Sequence, residues 1–261
     1  MANLPDSLFG EPTTAPAPEP IASHPPHTDL TNVPVDELIL ALNHARTRER
    51  ALHLLSQKRS MFDNLAVLIW HSFGTMFTLL KEIMDVYHLL SKPELTEKAS
   101  TRVCNALALL QVNDKEVIYF LLKTEIVPYC LRCMDVGKGL SKTSITHHPK
   151  IIQVATFIVQ KILMNEEGLR YCCIIADRFF AITRALETMM ETLSEEPSQR
   201  LLKHIVRCYL MLSESPRACL GLGRLLPRML SHSAFTDLLH DDPTVMSSFK
   251  QLLRKVHENR L

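Results

Sequence analysis

Cysteines carry the first chemical possibility in this chain. Cys130-x-x-Cys133 has the spacing of half a zinc site or of a redox pair, and Cys172-Cys173 is a second cluster. A structural zinc needs four converging ligands, and a thioredoxin-type pair needs strand-flanked surroundings. Neither cluster has a second CxxC or such flanks. All seven cysteines (Cys104, Cys130, Cys133, Cys172, Cys173, Cys208, Cys219) fall in apolar helical runs. They read as reduced, buried thiols of a nucleocytoplasmic protein. His147-His148 lies in a polar stretch without a Cys or carboxylate partner and reads as exposed. Gly221-Leu-Gly223 is a lone GxG, placed as a helix terminator. No Walker A, GxSxG or HExxH pattern occurs. No nucleophile, base or acid constellation forms, so the expectation is a non-enzymatic protein without metal or cofactor.

Cationic side chains offer a ligand more. Arg200, Lys203, His204 and Arg207 share one helical face, with Leu201, Leu202, Ile205, Tyr209 and Leu212 on the other. Such a face is either simply solvated or a groove wall that meets carboxylates or phosphates. Arg178 and Arg217 join it if adjacent repeats bring them near. Aromatic residues do not interleave with these cations, which weakens a single-strand stacking site. The net charge of +1 provides no global field for nucleic acid.

These side chains need a frame, and the composition points to an all-α one. Gly is scarce, at 7, and long stretches rich in Leu, Ala, Met, Lys, Arg and Glu carry neither Gly nor Pro. Residues 1–34 are proline-rich and read as a disordered or extended tail without the apolar core of a signal peptide. No run reaches the ~18 apolar residues of a membrane span. The helical pattern occupies 35–258. Its centre is Asn64 to Leu90, expected as one long helix with a broad apolar stripe, the only tryptophan (Trp70) and a helix-interior glycine (Gly74) marking close packing. Further helices are expected at Val35 to Ala45, Arg48 to Gln57, Thr96 to Gln111, Val117 to Leu122 and Pro128 to Met134, with Asn113-Asp114 as a start. Residues 144–153 read as an inserted loop, because Pro149 disfavours helix at His148. Helices resume at Val154 to Met164, Glu167 to Ile175, Asp177 to Leu193, Pro197 to Leu212 and Pro216 to Leu222. Several short ones follow to Asn259, the final start falling at Asp242-Pro243. A short helix, a break and a second helix recur around Val127, Phe179 and Leu226. Without residues 144–153 the interval approaches the ~40–47 residues of armadillo or HEAT repeats, whose stacked helices leave a long groove.

Several ungapped words carry a resemblance. Trp70-His-Ser-Phe-Gly-Thr75, Arg102-Val-Cys-Asn-Ala-Leu-Ala-Leu-Leu-Gln111, Leu121-Leu-Lys-Thr-Glu-Ile126 and Arg200-Leu-Leu-Lys-His-Ile-Val-Arg-Cys-Tyr-Leu210 closely resemble the "required for cell differentiation" family. These are the armadillo-repeat subunits of the Ccr-Not deadenylase complex, and the resemblance runs from Val35 to Val256. The proline-rich head resembles the plant branch.

The resemblance implies an armadillo-type α-solenoid acting as a non-catalytic adaptor in mRNA deadenylation and post-transcriptional repression. It would dock on the Not scaffold subunit and bind short linear motifs of RNA-silencing and decay regulators, in cytoplasm (including P-bodies) and nucleus. His71, Phe73, Phe77 and Met84 would face the scaffold. Thr143, Val154, Arg178 and Arg217 match the peptide groove. The alternative is a single-stranded nucleic-acid-binding helical-repeat module using Arg178, Lys203, Arg207 and Arg217. Four departures from the family stand out. Gln111 runs into Val112 where relatives carry about one more repeat, on the order of forty or more residues. Residues 144–153 split Thr143 from Val154. Ala176 replaces the groove tyrosine, and Phe77 replaces a small residue on the scaffold-facing helix.

Overall fold

The structure, a computed structural model, describes residues 32–62, 64–87, 89, 96–110, 115–135, 149–229 and 238–259. The regular structure among them is helical: α1 (Val35–Ala41), α2 (Arg48–Lys58), α3 (Leu65–His71), α4 (Thr75–Tyr87), α5 (Glu97–Leu109), α6 (Lys115–Lys123), α7 (Ile126–Met134), α8 (Pro149–Met164), α9 (Glu166–Ile174), α10 (Ala176–Glu195), α11 (Gln199–Leu212), α12 (Pro216–Met229) and α13 (Pro243–Glu258). Side-chain caps set several starts. Thr96 accepts from the Ala99 amide, Asn165 from Glu167 and Gly168, Ser198 from Leu201, and Asp242 from Thr244 and Val245. Each satisfies amide donors that the first turn leaves without partners.

Packing reveals the repeat. The sets α3-α4-α5, α6-α7-α8 and α9-α10-α11 are three copies of one three-helix unit. Third helices stack in a row, α2 on α5, α5 on α8, α8 on α11 and α11 on α13. Second helices form another row, α4 on α7, α7 on α10 and α10 on α12. Equivalent helices start about fifty residues apart. One continuous apolar core runs from Leu38 to Val256. The chain is an armadillo-type α-solenoid.

Several expectations are corrected. The helix over Asn64 to Leu90 is two helices, broken at Ser72-Phe73-Gly74. Gly74 has φ +76, a left-handed geometry that ends a helix rather than packs one. Residues 149–153 are not loop: Pro149 opens α8, where its missing amide proton costs nothing. Gly221 and Gly223 lie inside α12 and terminate nothing. A Cβ on Gly221 would sit 2.8 Å from Phe179 Cε1, so this glycine admits the neighbouring aromatic ring. The last short helices are one sixteen-residue helix, α13, after a helical stretch at 238–241. Of the recurrence at Val127, Phe179 and Leu226, the first two lie in the second helices α7 and α10 and Leu226 in α12, which packs at the end of that row, and the period of about fifty is reached with 149–153 included. The tail up to residue 31, Asn113-Asp114, Thr143, residues 144–148 and with them His147-His148 lie outside the described residues.

Candidate docking faces

The first face is the α3–α4 elbow. α4 divides cleanly: Met76, Leu79, Ile83 and Val86 are buried, while Phe77, Lys81 and Met84 share the opposite side at i, i+4 and i+7. Phe73 in the elbow is 98% exposed and Phe77 70%. His71, Leu68 and Met84 are exposed beside them. All four residues matched to scaffold binding therefore lie on the surface, His71 at the end of α3, Phe73 in the elbow, and Phe77 and Met84 on α4. Leu68, Phe73, Phe77 and Met84, counted in the sequence as one apolar stripe with the core positions, do not enter the core. The elbow rotates the register of α4 against α3, which a single helical wheel cannot represent.

A carboxylate fixes the buried side of α4. Glu82 is 2% exposed and accepts from Arg48 Nη1 of α2 at 3.4 Å and from Arg102 Nη2 of α5. Arg48 also donates from Nε to the Leu42 carbonyl at 2.9 Å. Two third-row helices thus grip the helix that carries the exposed aromatics.

The second face lies over α9, α10 and α12. The Arg178 guanidinium sits 3.8 Å from the Tyr171 ring centroid and donates to the Tyr171 carbonyl at 3.2 Å. Tyr171 thus supplies from α9 an aromatic partner for Arg178 that spacing within one helix does not reveal. The pairing needs the sharp α9–α10 turn at Ile175, which spacing alone does not reveal. Ile174, Ile175, Phe180 and Leu220 are exposed apolar residues on these helices. Arg217 is exposed at the start of α12, and Val154 is half-buried on α8.

The expected cationic face is smaller than its pattern. His204 is buried at 6% exposure, its Nδ1 2.7 Å from Gln160 Oε1 and its ring edge-on to Phe157. Burial, then the charges of Arg200, Arg207 and Lys203, pull its pKa down to about 4. Lys203 and Arg207 line a small cleft with Val206, Thr244, Val245 and Ser248, with neither Arg178 nor Arg217 on its wall.

A larger polar cleft of about 440 Å³ lies between α2, α5 and the start of α8, lined among others by His53, Gln57, Arg59, Asn105 and Lys150. The sequence reading missed it, because its walls come from residues far apart in the chain.

All seven cysteines are free and buried. Burial pushes Cys104, Cys133 and Cys172 up to about 12, so these thiols are poor metal ligands and nucleophiles. Among the described residues no group of three or more His, Cys, Asp or Glu is placed to hold a metal. No described helix is long and apolar enough to cross a membrane.

Residues 38–113 and 108–256 match, in two pieces, the model of the cell differentiation family, Rcd1-like. The chain is 39% identical to "Cell differentiation protein rcd1" of Schizosaccharomyces pombe, covering 84% of this chain and 92% of that one. It is 38% identical to "Protein CAF40" of Saccharomyces cerevisiae, over 84% and 70%. A crystallised engineered protein shares the fold, with a TM-score of 0.51 at 14% identity over 85% of this chain. The fission-yeast alignment runs over 269 positions but uses 84% of these 261 residues, leaving about fifty positions without a counterpart, close to one repeat. The family match breaks at 108–113, between α5 and α6.

Proposed function

The chain belongs to the Rcd1-like cell differentiation family, and from that premise we propose that it is a non-catalytic adaptor subunit of the Ccr-Not deadenylase complex. Its α3–α4 elbow docks on the Not scaffold subunit. Its α9–α12 face takes short linear motifs of mRNA-decay and silencing regulators, in cytoplasm, P-bodies and nucleus. The observation that carries this reading is Phe73 in the elbow and Phe77 on α4, two aromatics left in water beside a helix whose other side is packed. Burying a large apolar side chain contributes about 1.5–3 kcal/mol, so two exposed aromatics mark a surface that gains by association.

The test is co-purification of the full chain with the docking segment of the scaffold, beside a Phe73→Ala, Phe77→Ala variant and a His71→Ala variant. The expected result is a stoichiometric complex weakened at least about a hundredfold by the double change, with helical circular dichroism preserved. A soluble, helical wild-type chain that does not bind refutes the docking role.

Lys203 and Arg207 favour a second reading, in which their cleft meets the phosphates of single-stranded nucleic acid. Oligonucleotide binding should then fall steeply with salt, and each charge removed should flatten the slope by about one unit. An affinity indifferent to salt refutes it.

A further inference from the structure

Phe73 is almost wholly exposed, so burial of its own side chain cannot decide where it points. Its position is set by the backbone of the elbow. Gly74 turns there at φ +76, the Thr75 amide donates to the Ser72 carbonyl, and the Thr78 amide to the Gly74 carbonyl. These are local bonds, and a short loop held only by local bonds opens cheaply.

A side chain from outside closes the elbow. Asn43 follows α1, thirty residues before Phe73. Its Nδ2 donates to the Phe73 carbonyl at 3.2 Å and to Thr75 Oγ1 at 3.2 Å. Its Oδ1 accepts from Thr78 Oγ1 at 3.1 Å. Thr75 Oγ1 in turn donates to Ser72 Oγ at 2.8 Å. Donor and acceptor directions agree along this chain: amide to Thr75 hydroxyl to Ser72 hydroxyl, and Thr78 hydroxyl back to the amide oxygen. Only an amide side chain offers both roles here. Thr75 and Thr78 are buried, at 0% and 8% exposure, so water replaces these bonds poorly.

We infer that Asn43 is a positioning residue for docking: its side-chain amide, bound to the Phe73 carbonyl and to Thr75 and Thr78, holds the elbow so that Phe73 and Phe77 are presented together. The inference rests on the docking reading above. It goes further in assigning to α1, which carries none of the exposed aromatics, control over the geometry of the face. Loss of the tie lowers the fraction of molecules in the docking conformation, and apparent affinity falls by that fraction.

The experiment uses the full chain with Asn43→Ala, Asn43→Asp and Thr78→Val. Asn43→Asp keeps the acceptor for Thr78 but sets a carboxylate oxygen against the Phe73 carbonyl. Thr78→Val removes one bond of three and serves if the Asn43 variants fold poorly. Two readouts are taken: the rate of chymotryptic cleavage after Phe73 in the free protein, followed by mass, and the apparent Kd for the scaffold segment. Faster cleavage and a roughly tenfold higher apparent Kd for both Asn43 variants, a smaller shift for Thr78→Val and unchanged bulk helicity support the inference. Asn43→Asp behaving as wild type in both readouts overturns it, because a merely space-filling role survives that change. A wild-type chain that does not bind removes the docking half, and the cleavage rates then decide the elbow alone, wild-type rates overturning that as well.

Discussion

Glu82→Gln isolates the grip on α4 with little change of shape. The carboxylate is 2% exposed and bridges Arg48 and Arg102 from two different helices. The glutamine keeps one acceptor and turns the other oxygen into a donor facing a guanidinium. Removing one member of a buried ion pair costs about 3–5 kcal/mol, because the partner charge is left without compensation. Here the partners are not sealed. The Arg48 side chain is 22% exposed and Arg102 36%, so water recovers part of their solvation. That reduces the expected loss to about 2–3 kcal/mol. Arg102 Nε is buried without a hydrogen-bond partner even in the intact protein, so no further acceptor stands beside this guanidinium to replace the lost carboxylate oxygen. For an array of this size about 2–3 kcal/mol lowers Tm by roughly 5–10 °C. The assay is thermal melting by far-ultraviolet circular dichroism at low and high salt. The buried pair is poorly screened, so the difference between variant and wild type should persist in salt. A Tm within about 1 °C of wild type at low salt refutes the argument that this bridge holds α4.

Four further outcomes follow from the same geometry. A Cβ on Gly168 would lie 2.0 Å from the Ile162 carbonyl oxygen, so Gly168→Ala should force α8 and α9 apart and cost at least about 3 kcal/mol; soluble expression with an unchanged melt contradicts this. Burial holds the folded pKa of His204 at about 4, below the ordinary histidine value of about 6.5, so its contribution to stability is fully present above about 6.5 and is lost as pH falls toward about 4; a His204→Gln variant should lose less stability across that window than wild type, and equal losses rule the explanation out. The seven buried thiols should react with a disulfide reagent only on unfolding, and a fast stoichiometric burst from the native chain would show an open thiol. Trp70 packs edge-on against Phe120 at 4.9 Å, across the α5–α6 junction, so Phe120→Leu should shift tryptophan emission and destabilise by about 1–2 kcal/mol; an unchanged spectrum means the two units do not meet there.

Helical class and most helix positions were legible because period, caps and glycine scarcity agree along the chain. Asp242-Pro243 is an example: a capping carboxylate and a first-turn proline point to the same start, and Asp242 does accept from Thr244 and Val245. The elbow was not legible. Gly74 in an apolar run reads equally as a tolerated helical glycine or as a left-handed stop, and tertiary ties such as Asn43 choose between them. His204 misled for a related reason. Its neighbours three and four positions away are cations, but half a turn of error separates a solvated histidine from one packed on Gln160 and Phe157. The Tyr171–Arg178 stack and the α2–α5–α8 cleft depend on chain reversals, which periodicity within one helix does not encode.

The gap in the array falls in register. The relatives carry about fifty further positions, and the unit here is about fifty residues. What is absent therefore amounts to one three-helix slab, and α5, a third helix, is followed by α6, a first helix. The surfaces exposed by such an excision are chemically equivalent, since every third helix offers one side to the third helix before it and the other to the one after. The structure bears this out at the junction: α5 packs on α8 and α4 on α7, and Val103, Leu107 and Leu110 before it are as buried as Ile151 and Ile152 after it. An excision of half a unit would have set a first-helix face against a third-helix face and left apolar rows in water. Because each repeat touches only its neighbours, the α3–α4 face before the junction and the α9–α12 face after it are each built without crossing it. Under the adaptor reading, a ligand confined to one face needs no side chain from across the junction. A ligand that grips both faces through a linker of fixed length meets them one slab closer, and its gain from effective concentration is altered by that distance alone. The shortened array thus bears first on which partners can bridge the two faces.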